Sequence, residues 1–133
     1  MLVLDTHALV WLVAENSSLG PAAKLAIANA FADSVVAISA MSFWEVTTLA
    51  NRGRITIHDD VSSWREKVLR LGVTEIPVTG EVAIAAVQLS DFHHDPADRL
   101  ITATALVNGA TLLTADRRIL RWQSPLNRID ARK

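Results

Sequence analysis

Short apolar runs rich in β-branched residues alternate with longer stretches that carry helix punctuation. This alternation restricts the fold more than any other feature of the 133-residue chain. Leu2–Leu4, Val35–Ser39, Thr74–Val78, Thr111–Thr114 and Leu126–Ile129 read as strands. Between them, helices are predicted over Ala8–Ala14, Pro21 to about Ala32, Ser42–Asn51, Val61–Leu71, Gly80–Leu89, Pro96–Val107 and Ala115–Arg121. Pro21 and Pro96 stand where a first helical turn tolerates a missing amide donor, and Gly53, Gly72 and Asn108-Gly109 supply stops. Pro77 places its strand at a sheet edge. The alternation implies βαβ units and a parallel sheet covered on both faces, an α/β fold. Right-handed crossovers then bring every strand's C-terminal end to one edge, where ligands of such sheets bind. No repeat, low-complexity stretch or linker divides the chain, so a single domain over residues 1–133 is expected.

Composition narrows the chemistry. Half the residues are hydrophobic and only 20% are charged, which excludes a disordered chain. There is no cysteine, so disulfides, thiolate zinc sites and cysteine nucleophiles are all excluded. The N-terminal apolar run is broken at Asp5 and His7, too short and too polar for a signal or a membrane span. A cytosolic protein without membrane contact is expected. Net charge is −1, but its distribution is uneven. Leu71 to Asp98 contains Glu75, Glu81, Asp91, Asp95 and Asp98 and no Lys or Arg, whereas Arg117 to Lys133 contains six bases and one acid, Asp130. An acidic centre beside a basic tail suits an anionic ligand held near a cation, or simply a solvated C-terminal surface.

Asp5 ends the first strand, and Glu45 lies one turn into the helix after the second. Asp98 sits in the first turn of the helix opened by Asp95-Pro96, and Asp116 follows Thr111–Thr114 by two residues. All four fall at the strand-end side of the expected sheet. Each has a structural reading beside the functional one. Asp5 can cap the first helix, Asp95-Pro96-Ala97-Asp98 spells an N-cap and first turn, and Thr114-Ala115-Asp116 reads as a cap with an acid favoured by the helix dipole. Carboxylates brought together repel unless a cation joins them. Mg²⁺ or Mn²⁺ prefers such oxygen ligands, orients a water and stabilises charge developing at a phosphate. Metal-assisted phosphodiester hydrolysis is the reaction this set suggests.

Four stretches carry a family resemblance: Leu2-Val3-Leu4-Asp5-Thr6-His7-Ala8-Leu9-Val10-Trp11, Ser42-Phe43-Trp44-Glu45-Val46, His94-Asp95-Pro96-Ala97-Asp98-Arg99-Leu100-Ile101 and Leu112-Leu113-Thr114-Ala115-Asp116-Arg117-Arg118. In this order and spacing the chain resembles a PIN-domain ribonuclease, more closely the VapC-type toxins of type II toxin–antitoxin pairs. The resemblance implies a three-layer α/β/α sandwich with a central, mainly parallel sheet. It also implies Mg²⁺- or Mn²⁺-dependent endoribonuclease activity on RNA, a homodimer, and inhibition by a cognate antitoxin. Asp5, Glu45, Asp98 and Asp116 match the family's acidic quartet. By the same resemblance Asp5, Asp98 and Asp116 are expected to hold the metal, and Glu45 to act in its outer shell or to position the attacking water. Thr114 matches a hydroxyl beside the last acid and is expected to bond Asp5 or substrate. Asp95 replaces Asp98 as ligand if the alignment slips by three residues.

Arg99, Arg117 and Arg118 flank these acids and are candidate phosphate contacts, or else surface ion-pair partners. Trp11 and Trp44 stand beside apolar residues and are expected in core or interface packing rather than base stacking. The adjacent His93 and His94 make a poor chelating pair. Alternative readings fare worse. A haloacid-dehalogenase-like phosphatase needs an Asp where His7 stands, and a response-regulator-like domain needs a late lysine, whereas none lies between Lys67 and Lys133. A degenerate PIN domain that only binds RNA or protein is opposed by the intact quartet.

Overall fold

The computed structural model describes residues 1–133. In chain order the elements are β1 (Leu2–Leu4), α1 (Thr6–Val13), α2 (Pro21–Ala32), β2 (Val36–Ser39), α3 (Met41–Asn51), α4 (Val61–Arg70), β3 (Thr74–Ile76), α5 (Gly80–Val87), α6 (Pro96–Val107), β4 (Thr111–Thr114), α7 (Arg117–Leu120) and β5 (Arg128–Asp130). The strands form one sheet in the order β3-β2-β1-β4-β5, and every pairing is parallel. The expectation of a mainly parallel sheet is met in full. β3 is indeed an edge strand, shortened to end just before Pro77, whose missing amide cannot extend a ladder.

The period-2 geometry of these strands divides their side chains between two cores. Leu2, Leu4, Val36, Ile38 and Leu113 face a cluster with Leu9, Ile27, Val46, Trp64 and Val68 from α1–α4. Val3, Ala37 and Leu112 point the other way, onto Ile101 and Ala105 of α6, with Phe92, Ile119 and Leu126. Both sheet faces are therefore dry, which gives the three layers and explains why the central strands are mostly apolar. α5 packs on α6 through Val82, Ala86 and Ala103, and leaves Ile84 and Val87 at 61% and 80% exposure. Trp64 is buried, while Trp44 is 60% exposed; the core reading of Trp44 is corrected, because its position on α3 points away from the sheet that Phe43 and Val46 cover.

The strand order places the site. From β1 the chain steps outward to β2 and β3, then crosses back from that edge to β4 on the other side of β1, so the order reverses between β1 and β4 and a crevice opens at their carboxyl ends. Asp5 follows β1 directly, and its amide still donates to the Leu113 carbonyl at 2.9 Å. Thr114 ends β4, and Asp116 caps the short α7 behind it. The start of α6 reaches the same edge through Asp95 and Asp98. No helix is long and apolar enough to cross a membrane.

Candidate active site

Three of the acids here are helix caps as well as site residues. Asp5 Oδ1 accepts from the Thr6 amide at 2.8 Å at the start of α1. Asp95 Oδ1 accepts from the Asp98 amide at 3.1 Å at the start of α6. Asp116 Oδ1 accepts from the Arg118 amide at 2.8 Å. The capping and functional readings are thus not alternatives, since a helix N-terminus favours negative charge and these helices begin where the sheet's strands end. Together with Glu45 and Asp98 they line one open cavity of about 300 Å³. Asp5 and Asp98 are buried, Glu45 and Asp116 are half-buried, and Asp95 is exposed.

Asp98 is the centre of the cluster. Its ligand atoms fall within 4.8 Å of those of Glu45 and Asp95 in one group, and of His93 and Asp116 in another. Asp5 lies in neither group but lines the same cavity and is locked from below. The Thr114 hydroxyl donates to Asp5 Oδ2 at 2.6 Å, and Thr114 Oγ1 accepts from the Asp116 amide at 3.0 Å. Asp98 Oδ2 meets His93 Nε2 at 2.6 Å and accepts from Arg118 at 3.3 Å. Arg118 also forks onto both oxygens of Asp116, at 2.9 and 3.3 Å.

The electrostatics follow from burial and crowding. Burial pushes the Asp98 carboxyl up to about 8, and the charges of Asp5, Asp95, Asp116 and Glu45 push the same way. Burial likewise raises Asp5, against the pull of its hydrogen bonds from Thr114 and Thr6. Glu45 is raised by burial, and Asp5 and Asp95 add to that rise against the Thr6 hydroxyl. Burial acts upward on Asp116 too, but the hydrogen bonds and charge of Arg118 outweigh it and hold this carboxyl low. Burial and the neighbouring Arg118 depress His93. A set of carboxylates that repel one another in a partly dry cavity is chemically suited to a hard divalent cation with oxygen ligands.

Two candidate substrate contacts have partners within the chain, and for Thr114 that partner is Asp5, one of the two expected for it. Thr114 is fully buried, and its hydroxyl joins Asp5 to Asp116 rather than facing a ligand. Arg99 turns away from the cavity. Its guanidinium donates to the carbonyls of His93, Ala86 and Phe92 at 2.9, 3.0 and 2.6 Å, with longer bonds to Val87 and Leu89, and lies 5.6 Å from the Phe92 ring centroid. It pins the loop between α5 and α6 that delivers His93. Arg117 is exposed and outside the cavity, whereas Arg118 lines it. His93 and Trp11, which the sequence reading gave no site role, and Arg132, which it did not single out, also line the cavity or reach its carboxylates. Nothing local in the sequence marks His93, since only the fold of its loop aims the ring at Asp98.

Residues 2–123 match the PIN domain. Ribonuclease VapC22 of Mycobacterium tuberculosis (strain ATCC 25618 / H37Rv) is 40% identical over 124 residues, covering 92% of either chain. The fold is similar to that of VapBC2 from Rickettsia felis bound to a DNA fragment from their promoter, with a TM-score of 0.73 at 14% identity over 97% of both chains. It is also similar to a toxin–antitoxin complex from Klebsiella pneumoniae, with a TM-score of 0.62 at 20% identity over 96% of this chain and 99% of that one. Topology, the arrangement of acids at the sheet's switch point and this kinship agree: the chain belongs to the PIN-domain family.

Proposed function

We propose that this protein is an Mg²⁺- or Mn²⁺-dependent endoribonuclease, the toxin of a type II toxin–antitoxin pair, acting in the cytoplasm as a homodimer held in check by a cognate antitoxin. One observation carries the reading: the acids expected from sequence line a single cavity in a chain 40% identical to a ribonuclease. The toxin–antitoxin complexes among its structural relatives support a protein partner. The exposed Ile84 and Val87 on α5 are suited to a subunit contact.

In this reading Asp98 and Asp116 hold the metal, with Asp5 completing the set from the cavity floor. Asp98 serves rather than Asp95, because Asp98 is the buried acid common to both ligand groups while Asp95 is exposed and belongs to one of them. A divalent ion held by these carboxylates would supply positive charge beside a phosphate and lower the pKa of a water. Glu45, half-buried and beside Asp98, is placed to orient a water and to receive its proton. Hydrolysis would join the water oxygen to phosphorus and break the bond to the leaving ribose oxygen, which would take up a proton from solvent. Thr114 fixes the Asp5 carboxylate, and His93 with Arg118 fixes Asp98. Arg118 holds the Asp98 and Asp116 carboxylates in place; Arg117 is placed to meet more distant phosphates from outside the cavity.

The test is induced expression in bacteria beside purified-protein assays on RNA with Mg²⁺, with Mn²⁺ and with chelator. Growth arrest and chelator-sensitive cleavage, both lost in Glu45→Gln at undiminished soluble expression, are the expected results. RNA bound without cleavage under every metal condition would instead assign a binding module.

A further inference from the structure

The acidic cavity has two arginines in its lining, and they differ in one respect. Arg118 is committed to Asp98 and Asp116. Arg132 has no acidic partner in the chain. Its Nη1 donates to the Ala115 carbonyl at 2.7 Å, its guanidinium carbon lies 5.3 Å from the Trp11 ring centroid, and its remaining N–H groups have no acceptor in the chain. The side chain is exposed, on the cavity wall formed with Trp11 and His7, whose rings meet edge-on at 6.3 Å.

The chain holds this arginine in place with some care. Ala131 is fully buried, its amide donates to the Thr114 carbonyl at 2.8 Å, and its own carbonyl accepts from Gly20 at 2.9 Å. The Lys133 carbonyl accepts from Ala22 at 2.8 Å, and the Arg132 amide donates to Asp130 Oδ1 at 2.9 Å. The segment crosses the start of α2 so closely that a Cβ on Gly20 would stand 2.4 Å from the backbone of Lys133 and 2.5 Å from that of Arg132. Gly20 is therefore needed for close approach, although its own backbone is ordinary. Residue 132 lies beyond the stretch matched to the PIN domain.

From this arrangement we propose that Arg132 binds a phosphate of the RNA adjacent to the one being cleaved, with Trp11 holding the guanidinium in place. The inference rests on the ribonuclease reading above. A polyanion entering a cavity of carboxylates needs a cation that those carboxylates do not already neutralise. A planar guanidinium with free donors, lying over an indole, can fork onto phosphate oxygens. Arg132 meets that description and Arg118 does not.

The experiment measures binding of a fluorescein-labelled single-stranded RNA to the full-length protein by anisotropy, in chelator, across a salt series. Arg132→Gln is expected to weaken binding roughly tenfold, as for loss of one charge-assisted hydrogen bond. It should also make the log–log salt slope shallower by about 0.7, one single-strand phosphate contact. Arg132→Lys should keep most of the slope while losing part of the affinity. Gly20→Ala, which displaces the segment without replacing a cavity residue, should reproduce Arg132→Gln, and the exposed Arg121→Gln, outside the cavity, should bind as wild type. Should Gly20→Ala fail to fold, the two Arg132 variants decide the question. Wild-type affinity and slope in Arg132→Gln, with only a lowered melting temperature, would make Arg132 a strut for the C-terminal segment and overturn the proposal. Wild-type protein that neither binds nor cleaves any RNA would instead overturn the ribonuclease reading itself.

Discussion

The Thr114 hydroxyl donates to Asp5 Oδ2 at 2.6 Å, joining the ends of the two central strands across 109 positions of sequence. Asp5 is buried, so this bond and the Thr6 amide are what make its charge tolerable against the desolvation that raises its pKa. Thr114→Val should raise the Asp5 carboxyl further and free the Asp116 amide. We expect a loss of about 1–3 kcal/mol in urea unfolding, typical of a buried polar group left unpaired, with RNA cleavage falling in parallel. Thr114→Ser should restore both. Equal cleavage by the Val and Ser variants would show that the hydroxyl does not matter to the site.

Asp98 gives the site a pH signature. Its folded pKa, about 8, lies above the ordinary 3.8, so the folded state binds the proton more tightly than the unfolded chain. Its stabilising contribution is complete below about pH 4 and disappears as pH rises through 8. Asp5 and Glu45 are raised and act in the same direction, whereas Asp116 is lowered and its contribution disappears only as pH falls below the ordinary carboxylate range. Metal-free protein should therefore lose about 2 kcal/mol of unfolding free energy between pH 5 and 8, the solvent in the open cavity screening the rest. Asp98→Asn should flatten this dependence, and Mg²⁺ should stabilise the wild type more at pH 8 than at pH 5. A pH-independent stability in chelator would remove the carboxylate repulsion from the account.

Arg99 separates structure from chemistry. Its guanidinium closes the loop between α5 and α6 through five carbonyls. Arg99→Met should cost about 2–4 kcal/mol, as when a buried hydrogen-bond network is broken, and lower activity by releasing His93 from Asp98. Arg117→Ala, exposed, should stay within about 0.5 kcal/mol of wild type. Chemical unfolding of both variants makes the comparison.

The tryptophans offer a parallel contrast on α3 and α4. Trp64 packs edge-on against Phe43 at 6.1 Å and is buried, so Trp64→Ala should cost about 3–5 kcal/mol in thermal or urea unfolding. Trp44 is exposed, and Trp44→Ala should change monomer stability by no more than about 0.5 kcal/mol.

The sheet and the acids were legible because their signals are local. Leu2–Leu4 read as a buried strand and Thr111–Thr114 as a strand from their apolar, β-branched composition, and Pro96 and Pro21 marked helix starts that hold to the residue. Asp5, Glu45, Asp98 and Asp116 could be brought together on paper because the topology places strand ends on one edge. Boundaries slipped where capping moved them: α1 starts at Thr6 rather than Ala8, since Asp5 already caps it. Arg99, His93 and Arg132 were not legible. Arg99 differs from Arg118 only in which way the chain turns beneath it, and Arg132 reaches the cavity only because the C-terminal segment folds back over Gly20.

The central claim is that these carboxylates jointly hold a divalent ion, and Mn²⁺ titration followed by electron paramagnetic resonance tests it without reference to substrate. Wild-type protein should bind Mn²⁺ with displacement by Mg²⁺, while Asp98→Asn, the variant that removes the acid shared by both ligand groups, should bind at least about tenfold more weakly, the order of effect expected for a lost site partner. Mn²⁺ bound equally well by folded Asp98→Asn protein would contradict the account.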